Sequence, residues 1–361
     1  MSPTKTLKPA PTLRRVSSPE EIRRVIDNHE LATLSLRLPT PCDLDCVYCY
    51  GTPKTYKEVK ARGHHLTYDE LVRLVQDAAA LGLRSVSLVG DGEPLLYRDG
   101  QGDFFGLVEA INAVGAQVTV FSNALSLTRE QAERLAKGNV CFIAKQNSLD
   151  PEKQSYLTGR AKAGGKLDAA LEHLIAAGFA RSEPSRLAIH TIICKPNYDE
   201  LPEMWRAWRR RGIIPYVQVY VPPRAPELRA RFMDEFYVEP GRVKDLFHRL
   251  KDIDEAEFGY TWDADSSYPI AALGCTVVLT GIGVGPQGDV QLCAYTEAPV
   301  ANVRTTSLRD IMRGPAVTAI RSHRYSDDEH GFNYGCRALA LNETGDRFAK
   351  DPFHWGSEKP G

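Results

Sequence analysis

Cys42, Cys46 and Cys49 lie in the run Pro41-Cys-Asp-Leu-Asp-Cys-Val-Tyr-Cys-Tyr50, with the spacing C-x3-C-x2-C. Three thiolates on one short loop can hold three irons of a [4Fe–4S] cube and leave the fourth iron open. An iron with an open position can bind a ligand and reduce it. The competing chemistry is zinc, whose cysteine pairs are spaced C-x2–4-C. A second candidate group follows about forty residues on, where Ser85-Val-Ser-Leu-Val89 gives way to Gly90-Asp-Gly-Glu-Pro94. Alone, that pentapeptide reads as an ordinary turn.

Together, loop and turn resemble the radical S-adenosylmethionine (SAM) superfamily. The resemblance implies that Cys42, Cys46 and Cys49 carry a SAM-binding [4Fe–4S] cluster. It implies that the turn Gly90, Asp91, Gly92 and Glu93 receives the SAM amino group. Asp91 stands where the family has glycine, a departure tolerated if backbone carbonyls do the holding. Tyr48, just before the third cysteine, stands where the family places a residue near the adenine. The implied activity is reductive cleavage of SAM to methionine and a 5′-deoxyadenosyl radical. A one-electron donor such as flavodoxin or ferredoxin is then an expected partner.

The C-terminal third holds a second group. Gly274-Cys275 precedes the apolar run Val277 to Ile282, then Gly285-Pro-Gln-Gly-Asp289 and Val290-Gln-Leu-Cys293. The pattern reads as two short strands joined by a turn, with a cysteine before the first and one ending the second. Cys336 follows in Phe332-Asn-Tyr-Gly-Cys336. The hairpin, the Cys275-x17-Cys293 spacing and Ser307-Leu-Arg-Asp-Ile311 resemble the SPASM/twitch extension of radical SAM enzymes. That resemblance implies a twitch-type domain in which Cys275, Cys293 and Cys336 hold one auxiliary [4Fe–4S] cluster. Some twitch enzymes have a fourth cysteine two residues after the third; Arg337-Ala-Leu339 offers none. The fourth iron is then open, or bound by substrate, water or a non-cysteine group. Three unrelated core thiols are the alternative, since cysteine packs well in interiors.

Cys141, between Val140 and Phe142, reads as core. Cys194 shares a strand face with His190 and Ile192 and lies at that strand's end, pointing toward the mouth of the fold. A thiol there is a candidate hydrogen-atom donor to a substrate radical, which would invert a carbon centre; a packed spectator thiol is the alternative. His190 reads either as a cavity-lining polar residue or as a satisfied interior histidine.

These groups need a scaffold, and the chain supplies alternating strands and helices. Candidate strands are Leu34–Leu38, Ser85–Val89, Gln117–Phe121, Val140–Ala144, Arg186–Cys194 and Tyr216–Val221. Between them lie helical stretches, two opened by capping boxes, Thr67-Tyr-Asp-Glu70 and Thr128-Arg-Glu-Gln131. Such alternation specifies an α/β fold with a parallel sheet, here a partial (β/α)6 TIM-like barrel with a small C-terminal β-hairpin/helix twitch-type domain. The expected organisation is a lead-in over 1–30, the barrel over 31–225, a helical linker over 226–273, the auxiliary-cluster domain over 274–340 and a tail over 341–361. Chemistry in such folds sits at the carboxyl ends of the strands. Ser122, Asn123, Asn147 and Ser148 lie there, and their hydroxyls and amides are candidates for the ribose and carboxylate of SAM. Local turn and capping roles are the alternative for each.

With 361 residues, 43% hydrophobic and 25% charged, the composition is that of a globular chain large enough for a barrel and an appendage. No apolar run is long enough to span a bilayer, so no membrane partner is expected. A formal net charge of −1 argues against nucleic acid as a partner. Arg206 to Arg211 reads as a solvated helix face. Eight cysteines in a chain without a signal-like start suggest a reducing, cytoplasmic compartment and metal ligation. The leading expectation for the substrate is a small molecule, a carbohydrate or aminocyclitol, undergoing epimerisation or dehydrogenation. Its basis is the single auxiliary cluster, Cys194, and an N-terminal stretch too short for a peptide-leader domain. Modification of a ribosomally made peptide is the alternative, and a zinc-binding protein without enzymatic activity is a third.

Overall fold

A computed structural model describes residues 7–13, 18–49, 55–182, 185–221, 226–265, 277–293, 299–326, 336–346, 349 and 351–353. Six parallel strands form the centre: β1 (Thr33–Leu38), β2 (Ser85–Gly90), β3 (Gln117–Ser122), β4 (Val140–Lys145), β5 (Leu187–Ile193) and β6 (Ile214–Val219). Each pairs with the next in sequence, so every crossover leads to an adjacent strand. The chain is an α/β protein with the partial TIM-barrel fold.

Sequence chemistry explains most of the helices. The expected capping boxes are both formed, Thr67–Glu70 opening α1 (Tyr68–Ala79) and Thr128–Gln131 opening α2 (Arg129–Ala136). A long helix, Ala163–Ala176, leads toward β5. A helix not anticipated, Pro151–Thr158, follows β4; Asp150 caps it and Gly159 ends it in the left-handed conformation. β4 is buried along almost its whole length, as a strand covered on both faces must be. Helix Leu201–Arg210 packs Met204, Trp205 and Trp208 inward.

One expectation is corrected on that helix. Arg209 is buried: its guanidinium forms a two-pronged ion pair with the fully enclosed Asp254, at 2.9 Å from Nε and 2.6 Å from Nη2. Asp254 also accepts from Trp205 Nε1 at 2.8 Å and Trp262 Nε1 at 3.0 Å. Arg206 and Arg211 do stay near solvent, paired with Glu257 and Glu172.

The C-terminal hairpin, β7 (Gly281–Val284) and β8 (Asp289–Gln291), joins the central sheet. β7 lies parallel to β1, Thr33 opposite Gly281, and the full order is β9-β8-β7-β1-β2-β3-β4-β5-β6, with β9 at Ala301–Asn302. The edge of β1 that would be bare in an open barrel is thereby covered. Arg304 adds a second tie, forking onto Glu70 at 2.8 Å through both Nε and Nη2.

Candidate functional site

The cysteine loop leaves the carboxyl end of β1 and is strapped on two sides. On one side Glu93 N–H donates to the Pro41 carbonyl at 2.8 Å and Asp91 N–H to that of Leu38 at 3.4 Å. The two backbones lie so close at Gly92 that only glycine fits there. On the other side the end of Pro151–Thr158 holds the loop, with Asp45 N–H donating to Thr158 and Val47 N–H to Leu157. Arg160 Nη1 donates to the Asp43 carbonyl. Cys42 and Cys46 are half-buried and Cys49 is exposed. Burial pushes the Cys42 thiol up to about 12, opposed by the Leu44 N–H aimed at its sulfur.

The polar residues expected to touch SAM are braced to one another. Buried Glu93 accepts from Ser122 Oγ at 2.6 Å, Asn123 N–H at 2.7 Å and Leu95 N–H at 3.0 Å. Asn123 Nδ2 donates to Asp43 of the cysteine loop at 2.7 Å. These bonds tie β2, β3 and the loop into one unit. Burial raises the Glu93 carboxyl to about 7 despite its three donors. Asp91 faces Arg37 and Arg62, at 3.7 and 3.5 Å. Asn147 donates to the Tyr48 hydroxyl, and Ser148 Oγ donates to Glu200 at 2.8 Å. Gln154 Oε1 accepts both the Asn147 and Ser148 N–H groups at 3.0 Å. Tyr48 meets Tyr220 edge to face, with ring centroids 6.0 Å apart.

Beneath Tyr48 a polar chain joins His190 to Lys145, at the end of β4, and to Gln218. Lys145 Nζ sits 5.5 Å from the Tyr48 ring centroid and donates to His190 Nδ1 at 3.0 Å. His190 Nε2–H donates to Gln218 Oε1 at 2.9 Å. Three adjacent strands therefore point one hydrogen-bonded chain inward, walled by Phe121 and Tyr216. Burial, then the Lys145 charge, holds His190 neutral, well below the usual imidazole range. Burial lowers Lys145 to about 8, while the thiols of Cys46, Cys194 and Cys49 act to raise it. The available signal was a lysine ending an otherwise apolar strand.

Cys194 is fully buried just past the end of β5, and burial pushes its thiol up to about 12. Its own N–H is held by Asn197 Oδ1 at 3.0 Å. Cys141 is buried with its thiol donating to the Leu13 carbonyl at 3.2 Å. Cys293 follows β8 half-buried, Cys336 is buried at the head of Arg337–Thr344, and Cys275 lies outside the described residues.

The donor set of the loop suits an iron–sulfur cube. Cys42, Cys46 and Cys49 put three thiols on one loop, the number that holds a [4Fe–4S] cube with one iron open. A tetrahedral zinc needs its sulfurs gathered at about 2.3 Å from one centre, whereas a cube spreads them over its corners.

Comparison with known proteins agrees with this chemistry. Residues 39–207 match the model of the radical SAM superfamily, and residues 275–337 that of the SPASM iron–sulfur cluster-binding domain. The chain is 30% identical to a GTP 3′,8-cyclase of Aeromonas hydrophila over 187 residues, 50% of this chain and 51% of that one. It thus spans about half the length of that relative. It is 26% identical to a PqqA peptide cyclase of Granulibacter bethesdensis over 336 residues, covering 86% of this chain and 83% of that one. Among solved structures, Streptococcus suis SuiB bound to precursor peptide SuiA aligns with a TM-score of 0.65 at 16% identity, covering 94% of this chain and 79% of that one. The enzyme anSMEcpe with bound AdoMet and a Cp18Cys peptide aligns at 0.64 and 12% identity, covering 90% and 94%. These structures share the fold.

Proposed function

The chain belongs to the radical SAM superfamily and carries a SPASM auxiliary-cluster domain, and we propose that it modifies a ribosomally made peptide at an unactivated carbon. The observation that carries this reading is the length of the similarity to the PqqA peptide cyclase, which takes in 86% of the chain. The matches to GTP 3′,8-cyclases are shorter, half of the chain for that of Aeromonas hydrophila and 71% for a probable one of Methanosarcina mazei. The carbohydrate expectation rested on the cluster count, Cys194 and the short N-terminal stretch; the first two do not distinguish a sugar from a peptide, and a separate recognition protein can supply the leader.

Bound SAM and its cluster supply a 5′-deoxyadenosyl radical on one-electron reduction, and the auxiliary cluster supplies a second redox centre. In this reading Cys42, Cys46 and Cys49 hold three irons of the SAM cluster. The Gly90–Glu93 turn fixes their loop, and Glu93 draws the ends of β2 and β3 together. Tyr48 lies over Lys145 of the Lys145–His190–Gln218 chain, which in this reading lines the substrate site. Cys275, Cys293 and Cys336 hold the auxiliary cluster. A ferredoxin- or flavodoxin-class donor provides the electron.

The test is anaerobic turnover of reconstituted protein with SAM and a reductant. One arm offers candidate precursor peptides encoded beside its gene, the other sugars and aminocyclitols. Peptide-dependent 5′-deoxyadenosine with a matching change in peptide mass supports the reading. Release stimulated by a sugar, with the peptides inert, overturns it.

A further inference from the structure

Lys145 is the last residue of β4, and strand register sets it beside His190 of β5, which lies opposite Tyr216 of β6. Alternation puts Gln218, two residues on, on the same face. An ammonium has donors only, so His190 Nδ1 is the acceptor at 3.0 Å and its Nε2 carries the proton given to Gln218 Oε1 at 2.9 Å. The imidazole is therefore neutral and offers Lys145 a lone pair without a charge. Tyr48 adds its ring 5.5 Å away, which attracts a cation but does not neutralise it.

An ammonium carries three N–H donors, and His190 takes one. Among the described residues no carboxylate reaches ion-pair distance of Nζ. Other cations of the barrel are matched: Arg37 faces Asp91 at 3.7 Å, and Arg209 forks onto Asp254. The thiols that act on the Lys145 charge are those of Cys46, Cys194 and Cys49. In the reading above Cys46 and Cys49 give their charge to iron, and burial keeps Cys194 protonated. Lys145 is half-buried, so it is partly dehydrated yet within reach of a ligand. In such a place an anion is held far more strongly than in water. A single lysine matches a singly charged anion, and the rings of Phe121 and Tyr216, 6.3 and 5.0 Å from that of His190, offer an apolar wall for a short methylene stem.

We propose that Lys145 is a specificity-determining residue that binds the side-chain carboxylate of an aspartate or glutamate in the peptide substrate. The proposal rests on the reading of the chain as a peptide-modifying enzyme and deepens it. The methionyl carboxylate of SAM is the other source of this chemistry. That group shares a carbon with the amino group which, in this reading, the turn after β2 receives. Lys145 stands two strands further on, roughly 10 Å across the sheet, which favours the substrate.

The experiment uses reconstituted wild type, Lys145→Met and Lys145→Arg with SAM bound. The probes are N-acetylglutamate α-amide, its uncharged glutamine counterpart, glucuronate and glucose, with binding read by saturation-transfer NMR and SAM affinity by equilibrium dialysis. Wild type is expected to prefer the glutamate probe to the glutamine probe by about tenfold or more. Lys145→Met should lose that preference with SAM affinity unchanged, and Lys145→Arg should keep it. Equal binding of the two probes by wild type overturns the assignment without any variant, and so does a preference that survives in Lys145→Met. A loss of SAM affinity by about tenfold in Lys145→Met, with cluster content retained, overturns it in favour of the SAM carboxylate. If glucuronate outbinds the glutamate probe and Lys145→Met abolishes its binding, the carboxylate site stands while the peptide reading falls.

Discussion

Gly92 and Thr40 are pressed together where the turn after β2 meets the cysteine loop: a Cβ on Gly92 would lie 2.1 Å from the Thr40 carbonyl oxygen. No side-chain adjustment relieves a clash with backbone. Gly92→Ala is therefore expected to push the loop off the turn. Iron after reconstitution should fall from about eight per chain toward about four, with SAM binding lost, while the far-ultraviolet spectrum is retained. Full iron loading in this variant would show that the loop yields without losing its ligand geometry.

Glu93 gives a pH dependence with a definite sign. Its folded-state pKa, about 7, lies above the ordinary 4.5, chiefly through burial. A group raised in this way favours the fold fully below its unfolded value, and that contribution is lost as pH rises through the folded value. Between about pH 4.5 and 7 the cluster-free chain should lose on the order of 3 kcal/mol of stability from this residue. Glu93→Gln cannot titrate and should lack that component. Denaturant midpoints of both proteins at pH 5 and pH 8 decide it; parallel curves would mean that Glu93 is ionised throughout.

The Arg209–Asp254 pair is the buried electrostatic joint between the helices Leu201–Arg210 and Pro240–Ile253. Asp254→Ala leaves the guanidinium enclosed without its counter-charge and two indole N–H groups without their acceptor. A loss of about 3–5 kcal/mol is expected. In the Arg209→Met/Asp254→Leu double variant most of that loss should return, because the charge to be buried is gone. Equal destabilisation of single and double variants would show that packing dominates at this joint.

Cys194→Ala tests the hydrogen-atom donor. Burial keeps the thiol protonated, the form from which a hydrogen atom can be given. If the reaction is an epimerisation with Cys194 as donor, the variant should still release 5′-deoxyadenosine while stereochemical inversion stops. The small void left behind should destabilise the chain by only about 1 kcal/mol. Inversion that persists with solvent hydrogen incorporated would rule the residue out.

The barrel was legible because its evidence is local. Thr67–Glu70 and Thr128–Gln131 are helix starts written in four residues, and the apolar run Val140–Ala144 is a doubly covered strand. The helix Pro151–Thr158 escaped notice because it is short and shows no clear apolar face, although Asp150-Pro151 is a start signal. Arg209 was misjudged because a run of arginines looks the same whether or not an aspartate 45 residues away is buried against it.

By itself the sequence determined which thiols are available, their spacing, the glycine turn and the order of strands and helices. Each of these is a property of neighbours along the chain. Tertiary structure alone decided the pairings: Glu93 with Ser122 and Asn123, Lys145 with His190, and β7 with β1. Hydrogen bonds and strand edges select partners by position in space, and no periodicity in the chain records a partner brought close only by folding.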